Sequence, residues 1–141
     1  MGISADEVLN WFDAVNWQQG EWVPEIVVAL WAGQKRFLDL LKEIQESSTQ
    51  HRWSNKTKPL TRQSLSQTLT RMEREELVLR HEDNSSVPRA VWYEVSPILR
   101  EFLEERARPP AGWIASHQDL IERVRQSRVT REHDRHHNDQ T

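Results

Sequence analysis

The chain has 141 residues, which suits one domain with its own hydrophobic core, and it contains no cysteine. Disulfides, cysteine–zinc sites and cysteine nucleophiles are therefore excluded. The sequence has no apolar run of about 18 residues and no signal-peptide layout at its N-terminus, so we expect a cytoplasmic protein without a membrane partner.

The net charge of −3 conceals a marked asymmetry along the chain. Residues 1–34 carry five acids and no base, whereas residues 35–92 carry eleven bases and eight acids, for a sum of +3. Within that block, the stretch from Ser47 to Arg74 holds six bases against a single acid, Glu73. A local excess of cations attracts phosphate more than the whole-chain charge suggests, so the net charge does not exclude a nucleic-acid partner.

Three helices are predicted in the first 46 residues. Ser4-Ala5-Asp6-Glu7 fits the capping box S-x-x-E, and apolar residues then recur at helical spacing, which predicts a helix over about residues 5–16. A second helix is predicted from about Pro24 to Gly33, with proline in its first turn. The third is predicted from about Arg36 to Glu46.

A polar stretch, Ser47 to Pro59, has no apolar periodicity and predicts a loop. Loops of this length are often solvated connectors, and that interpretation stays open. In the functional interpretation, its basic side chains hold DNA phosphates. Those side chains are Arg52, Lys56 and Lys58.

The stretch from Leu60 to Arg80, LTRQSLSQTLTRMEREELVLR, begins with a predicted helix over about residues 62–75, capped by Thr61. At about 100° per residue, its apolar side chains share one narrow face: Leu65, Leu69 and Met72. The opposite face is polar: Gln63, Gln67, Thr70 and Arg74. Glutamine can pair with adenine and arginine with guanine or phosphate, so this face suits DNA recognition, although any solvated helix face has a similar composition.

Two strand-like runs follow, Leu77 to Arg80 and Val91 to Val95, and they predict a β-hairpin with a polar tip. The side chains available there for phosphate or the minor groove are Arg80, His81, Asn84, Ser85, Ser86 and Arg89. Glu82 and Asp83 lie at the same tip and would repel DNA.

Ser96-Pro97 is a suitable start for a helix that reaches about Arg106. Pro109-Pro110 is predicted to end it, and a last helix is predicted over about residues 112–129. The polar tail, residues 130–141, is predicted to be disordered.

These residues resemble a known family. The stretch LTRQSLSQTLTRMEREELVLR resembles, position for position, the recognition-helix segment of HxlR-type winged helix-turn-helix regulators, a branch near the MarR regulators. VPRAVWYEVSP is similar to the family's return strand, and GEWVPEIVVAL and GQKRFLDLL are similar to its second and third helices. The resemblance covers about residues 20–98.

The resemblance implies a mainly α fold with one β-hairpin, in which a winged helix-turn-helix domain over residues 20–98 lies between dimerisation helices at 1–19 and 99–129. It implies a homodimeric regulator of transcription that binds double-stranded DNA at a pseudo-palindromic operator. By position, the base-reading residues would be Arg62, Gln63, Ser66 and Gln67. The backbone contacts would include Thr61, Thr70, Arg71 and Arg74. The dimer contact would involve Val8, Trp11, Phe12, Trp113, Leu120, Ile121 and Val124.

The sequence departs from the family pattern at four places. The N-terminal cysteine that senses electrophiles in some members is absent. The usual glycine before the first strand of the hairpin is Glu76, which costs about 1 kcal/mol if a left-handed conformation is kept. The loop of residues 47–59 is longer, and the hairpin tip is acidic.

No Gly-rich phosphate loop and no G-x-S-x-G elbow is found, so we predict no enzymatic activity, no cofactor and no metal ion. Two alternatives to a transcription regulator stay open. The negative net charge and the acidic tip favour a protein-interaction or scaffolding dimer without specific DNA binding. The same fold could also bind DNA repeats in plasmid or chromosome maintenance. Whether a small-molecule effector exists is left open.

Overall fold

The computed structural model describes residues 2–47, 59–106 and 108–139. Within these ranges the elements are α1 (Ala5–Trp17), α2 (Val23–Leu30), β1 (Lys35–Arg36), α3 (Phe37–Glu46), α4 (Arg62–Arg74), β2 (Val78–Asp83), β3 (Ala90–Val95), α5 (Pro97–Arg106), α6 (Arg108–Ser116) and α7 (Gln118–Asp139). No helix in the described part combines the length and the apolar character that crossing a bilayer requires.

Helix α1 begins at the predicted capping box. The Glu7 backbone N–H donates to Ser4 Oγ at 3.2 Å, and the Ser4 N–H donates to the Glu7 carboxylate at 2.7 Å. Two backbone donors at the helix start are thus satisfied reciprocally, which fixes where α1 begins.

The hydrophobic core is formed by three short helices and the sheet. Helix α4 contributes three side chains that are at most 1% exposed: Leu65, Leu69 and Met72. Helices α2 and α3 contribute Val23, Ile26, Leu30, Leu40, Leu41 and Ile44. Because all the buried side chains of α4 lie on the face predicted from the sequence, its other face is left outside the core.

Helix α4 ends in a left-handed residue, Glu76, with φ of 63°. The Glu76 N–H donates to the Glu73 carbonyl at 3.1 Å, and the Leu77 N–H donates to the Met72 carbonyl at 2.8 Å. This is a Schellman ending, closed by burial of both Met72 and Leu77. The left-handed conformation is therefore kept at this position although the residue is not glycine.

The sheet has three antiparallel strands in the order β1-β3-β2. Strands β2 and β3 form the predicted hairpin, with a register from Val78↔Val95 to Asp83↔Ala90. The prediction of only two strands was wrong, because β1 pairs with β3 through Lys35↔Tyr93 and Arg36↔Trp92. Two residues are too few to show a strand period, so tertiary pairing decides their conformation. The predicted start of the third helix is confirmed, since Arg36 is the N-cap of α3.

The C-terminal helices differ from the prediction in three ways. The single helix predicted over about residues 112–129 is divided at His117 into α6 and α7. Pro109 and Pro110 lie inside α6, which begins at Arg108, because proline is tolerated in a first turn where no intrahelical partner awaits its nitrogen. Helix α7 continues to Asp139 through the segment predicted as a disordered tail. Neither glycine nor proline occurs after Gly112, so no residue in that segment interrupts a helix.

Candidate nucleic-acid interface

The side of α4 that faces away from the core is polar and open to solvent. The four side chains predicted to read bases are all exposed: Arg62, Gln63, Ser66 and Gln67. Arg74, predicted to contact the DNA backbone, is exposed as well. Gln63, Gln67 and Arg74 therefore share the uncovered surface opposite the buried stripe of the helix, while Ser66 flanks them and Arg62 lies in the first turn.

Two threonines of α4 use their hydroxyl groups within the helix. Thr61 is the N-cap, as predicted, and its Oγ1 accepts a hydrogen bond from the Ser64 N–H at 3.1 Å. Thr70 Oγ1 donates to the Ser66 carbonyl at 2.9 Å. Both residues are exposed, but their hydroxyl groups already have partners in the absence of DNA. Any contact of theirs to a phosphate would add to these bonds or replace them.

Arg71 flanks the exposed polar face of α4 and has partners within the chain. Its Nη1 lies 2.8 Å from Glu75 Oε2 and 3.5 Å from the Gln19 carbonyl oxygen, to which it donates. Gly20 makes this approach possible, because a Cβ atom there would overlap the Arg71 guanidinium. The resemblance assigned Arg71 to the DNA backbone, whereas the structure uses it to attach α4 to the α1–α2 turn.

Trp17 makes a second attachment between α1 and α4. Its Nε1–H donates to the Glu75 carbonyl at 2.8 Å, at the C-terminal end of α4. Its ring meets Phe102 of α5 edge-on with centroids 6.1 Å apart, and Trp11 stacks on the same Phe102 at 6.2 Å. Helix α1 therefore connects α5 with the end of α4, a link that the sequence did not reveal.

Replacing Trp17 with phenylalanine is expected to lower the free energy of unfolding by about 0.5–1.5 kcal/mol, because the aromatic ring stays while the hydrogen bond is lost. Urea denaturation would measure the change. Trp11→Phe is the matched control, since Trp11 donates no hydrogen bond to α4. Equal losses in the two variants would show that ring area, and not the bond to Glu75, provides the stabilisation.

The hairpin tip is organised by Asp83. Its carboxylate accepts from the Ser85 N–H at 2.9 Å and from the Ser85 hydroxyl, and these hydrogen bonds lower the pKa of Asp83. The Ser86 hydroxyl donates to the Asp83 carbonyl at 3.3 Å. The predicted DNA contacts Ser85 and Ser86 are therefore part of the turn, while Asn84 is exposed at its tip.

Glu82 pairs with both arginines of the hairpin. One carboxylate oxygen meets Arg80 Nη1, and the other lies 3.4 Å from Arg89 Nη1. The hydrogen bond with Glu82 raises the pKa of Arg80, and a hydrogen bond with Tyr93 raises it further by a smaller amount. His81 Nε2 lies 2.8 Å from Glu94 Oε1 on the neighbouring strand. Every cationic or imidazole side chain predicted for DNA contact at this hairpin thus faces a carboxylate.

No protein-family model and no curated protein matches the sequence, whereas solved structures do. A protein assigned as a MarR-family transcriptional regulator from Enterococcus faecalis V583 superposes with a TM-score of 0.61 at 21% identity, over 87% of this chain and 96% of that chain. The redox regulator HypR, in its reduced form, gives 0.59 at 20% identity, over 80% and 97%. The protein ytcD, assigned as an HTH-type transcriptional regulator, gives 0.57 at 25% identity, over 83% and 99%.

The chain has a winged helix-turn-helix fold.

In this winged helix, α3 and α4 form the helix-turn-helix pair, and the β2–β3 hairpin is the wing. The basic residues predicted to flank α4, namely Arg52, Lys56 and Lys58, lie outside the described residues, so their contact with phosphate stays a prediction. Among the side chains that the structure describes, no group of three His, Asp or Glu is arranged to bind a metal ion.

The helices outside the winged unit carry exposed apolar side chains. On α1, Phe12 is 59% exposed, and Val8 and Trp11 are exposed as well. On α6 and α7 the exposed apolar side chains are Trp113, Leu120 and Val124, while Ile121 is half-buried. Trp113 stacks on His117 with ring centroids 4.1 Å apart. These are the residues that the resemblance assigned to a dimer contact, and most of them are uncovered in the single chain.

Proposed function

We propose that the protein is a cytoplasmic, homodimeric, sequence-specific DNA-binding regulator of transcription that binds a pseudo-palindromic operator. The observation that carries the proposal is the open polar face of α4, because in a winged helix-turn-helix this helix lies in the major groove. Solved proteins of the same fold are assigned as transcriptional regulators, which supports it.

The exposed face of α4 offers two kinds of DNA contact. Gln63 and Gln67 present amides that can pair bidentately with adenine, and Ser66 lies between them. Arg62 and Arg74, near the two ends of the helix, can bind guanine or phosphate. In such an interface, cations supply most of the affinity and the base-edge contacts supply the discrimination.

The proposal of a dimer rests on the two apolar sides of α1. One side carries Trp11 and Trp17 and packs on Phe102. The other side carries Val8 and Phe12, which the described chain covers only in part. A helix with apolar residues around most of its circumference is normally covered on all of those sides. A second copy would provide that cover and would bring two copies of α4 to half-sites about 34 Å apart.

Replacing Gln67 with alanine is expected to weaken binding to the best DNA site by about 1–3 kcal/mol and to change binding to random DNA little. The reason is that Gln67 is exposed on the polar face and would lose a base-edge contact, which random DNA does not offer consistently. Genome-wide mapping would identify the site, and fluorescence anisotropy would measure both affinities.

Gln126→Ala is the matched control, because it removes an exposed glutamine from α7, away from the proposed interface. It should leave both affinities unchanged. Equal losses on the best site and on random DNA in the Gln67 variant would contradict base recognition by this residue.

A second candidate function is a protein-interaction dimer without specific DNA binding. The observation that favours it is the charge of the wing, residues 78–95, which holds two arginines against Glu82, Asp83 and Glu94 for a sum of −1. A gel shift at physiological salt separates the candidates: a DNA-binding regulator keeps its complex under excess random competitor, and an interaction module does not. A resistant complex confined to tandem repeats would instead favour plasmid or chromosome maintenance.

A further inference from the structure

We propose that Glu82 attenuates DNA binding: its carboxylate competes with DNA phosphates for Arg80 and Arg89 and so limits the affinity of the wing for DNA of any sequence. The inference rests on the proposed function and deepens it. It assigns a role to the acidic residue that makes the wing depart from the pattern of the resembling family.

The geometry of the wing places one carboxylate between two guanidinium groups. Arg80 and Glu82 lie two residues apart on β2, so their side chains project from the same face of the strand. Arg89 directly precedes Ala90, the first residue of β3. Ala90 pairs with Asp83, so Arg89 lies close to Glu82 on the neighbouring strand. Each arginine meets a different oxygen of the carboxylate, with 3.4 Å from Glu82 Oε2 to Arg89 Nη1. Glu82 therefore holds both cations of the wing at once.

The other acids of the wing are engaged elsewhere. Asp83 accepts two hydrogen bonds from Ser85 and thereby forms the turn. Glu94 Oε1 lies 2.8 Å from His81 Nε2, on the face of the hairpin opposite that of Arg80 and Glu82. Each carboxylate thus has its own partner, and Glu82 is the one that faces the arginines within the described wing.

The two arginines stay within reach of a ligand. The Arg89 side chain is 57% exposed and that of Arg80 is 31% exposed, whereas Glu82 is 27% exposed. Ion pairs between exposed side chains are weak, so a phosphate can displace the carboxylate. After displacement, the negative charge of Glu82 stays beside the phosphate and opposes binding. The wing then neutralises fewer phosphates than its two arginines would without Glu82.

This competition removes the largest share of the binding free energy on non-specific DNA. Non-specific affinity comes almost entirely from phosphate neutralisation, and each neutralised phosphate steepens the salt dependence of binding by about 0.9. Specific affinity also draws on the base contacts of α4, which Glu82 does not touch. Because the wing arginines can meet phosphates on any DNA, restraining them lowers both affinities, and it removes a larger share of the binding free energy on random DNA than on the operator.

The test replaces Glu82 with glutamine, which keeps the size of the side chain and removes its charge. Binding of the full chain to random double-stranded DNA should become about 3- to 10-fold tighter, and the slope of log affinity against log salt should steepen by about one to two. Glu94→Gln is the matched control, because it removes the same charge from the same hairpin without freeing an arginine. It should change the slope less.

A triple variant, Glu82→Gln with Arg80→Gln and Arg89→Gln, should return the slope to the wild-type value or below it, and circular dichroism would establish that each variant is folded. An unchanged slope in Glu82→Gln, or an equal change in Glu94→Gln, would overturn the inference while leaving the proposed function intact if the wild type binds its site. A wild-type chain that binds no DNA would overturn the proposed function, and the inference with it.

Discussion

Replacing Phe12 and Val124 with glutamate is expected to yield a monomer and to weaken binding to a DNA with two half-sites by about 100-fold or more. Both side chains are exposed in the single chain, one on α1 and one on α7. Between two copies they would be buried, and a buried unpaired carboxylate is strongly unfavourable. Sedimentation would measure the mass of the particle, and fluorescence anisotropy the affinity. The loss is large because the second half-site is bound at a high effective concentration only while the two copies are connected.

Val28→Glu is a suitable control, because Val28 is an apolar side chain that is 61% exposed on α2, outside the proposed dimer surface. This variant should keep the mass of the wild type. A Phe12 and Val124 variant that stays dimeric at micromolar concentration would show that the copies meet through another surface. A monomeric wild type would remove the homodimer from the proposal altogether.

Replacing Leu65 with alanine is expected to lower the free energy of unfolding by about 2–5 kcal/mol. Leu65 is fully buried where α4 joins the core, so its truncation leaves a cavity as well as losing apolar burial. Domains of this size have a total stability of about 5–15 kcal/mol, so the variant would lose a large share of it. Urea denaturation would measure the loss.

Gln63→Ala provides the contrast on the same helix. Gln63 is exposed two residues before Leu65, and its truncation should change the stability by no more than about 0.5 kcal/mol. The pair therefore separates the buried face of α4, which folding needs, from the exposed face, which we propose contacts DNA. A loss below about 1 kcal/mol in Leu65→Ala would mean that this side chain does not anchor the helix.

The parts of the fold that sequence reasoning predicted are those set by local chemistry. The capping box at Ser4, the N-cap at Thr61 and the apolar period of α4 each act within a few residues, and all three are confirmed. The left-handed conformation is kept at Glu76 because the ending of a helix follows local rules even where the preferred glycine is absent.

The parts that could not be predicted depend on residues far apart in the chain. Strand β1 exists because Arg36 lies opposite Trp92 on β3, and its guanidinium lies 5.5 Å from the centre of that ring. The contact of Arg71 with Gln19 spans 52 residues, so the sequence did not reveal it, and the assignment of Arg71 to DNA stays a prediction. The bridge of Glu82 to two arginines likewise required the register of the hairpin, since the sequence alone showed only an acidic tip.

The conformation of Gly20 and its close contact with Arg71 limit the substitutions that the α1–α2 turn can accept. Gly20 has a φ of 150°, and the space that its Cβ would occupy is filled by the Arg71 guanidinium. A side chain at position 20 would displace Arg71 and would also have to adopt this positive φ, which favours glycine. A shorter residue at position 71 would remove the first obstacle and not the second, so position 20 should keep glycine among descendants of this sequence even where position 71 changes.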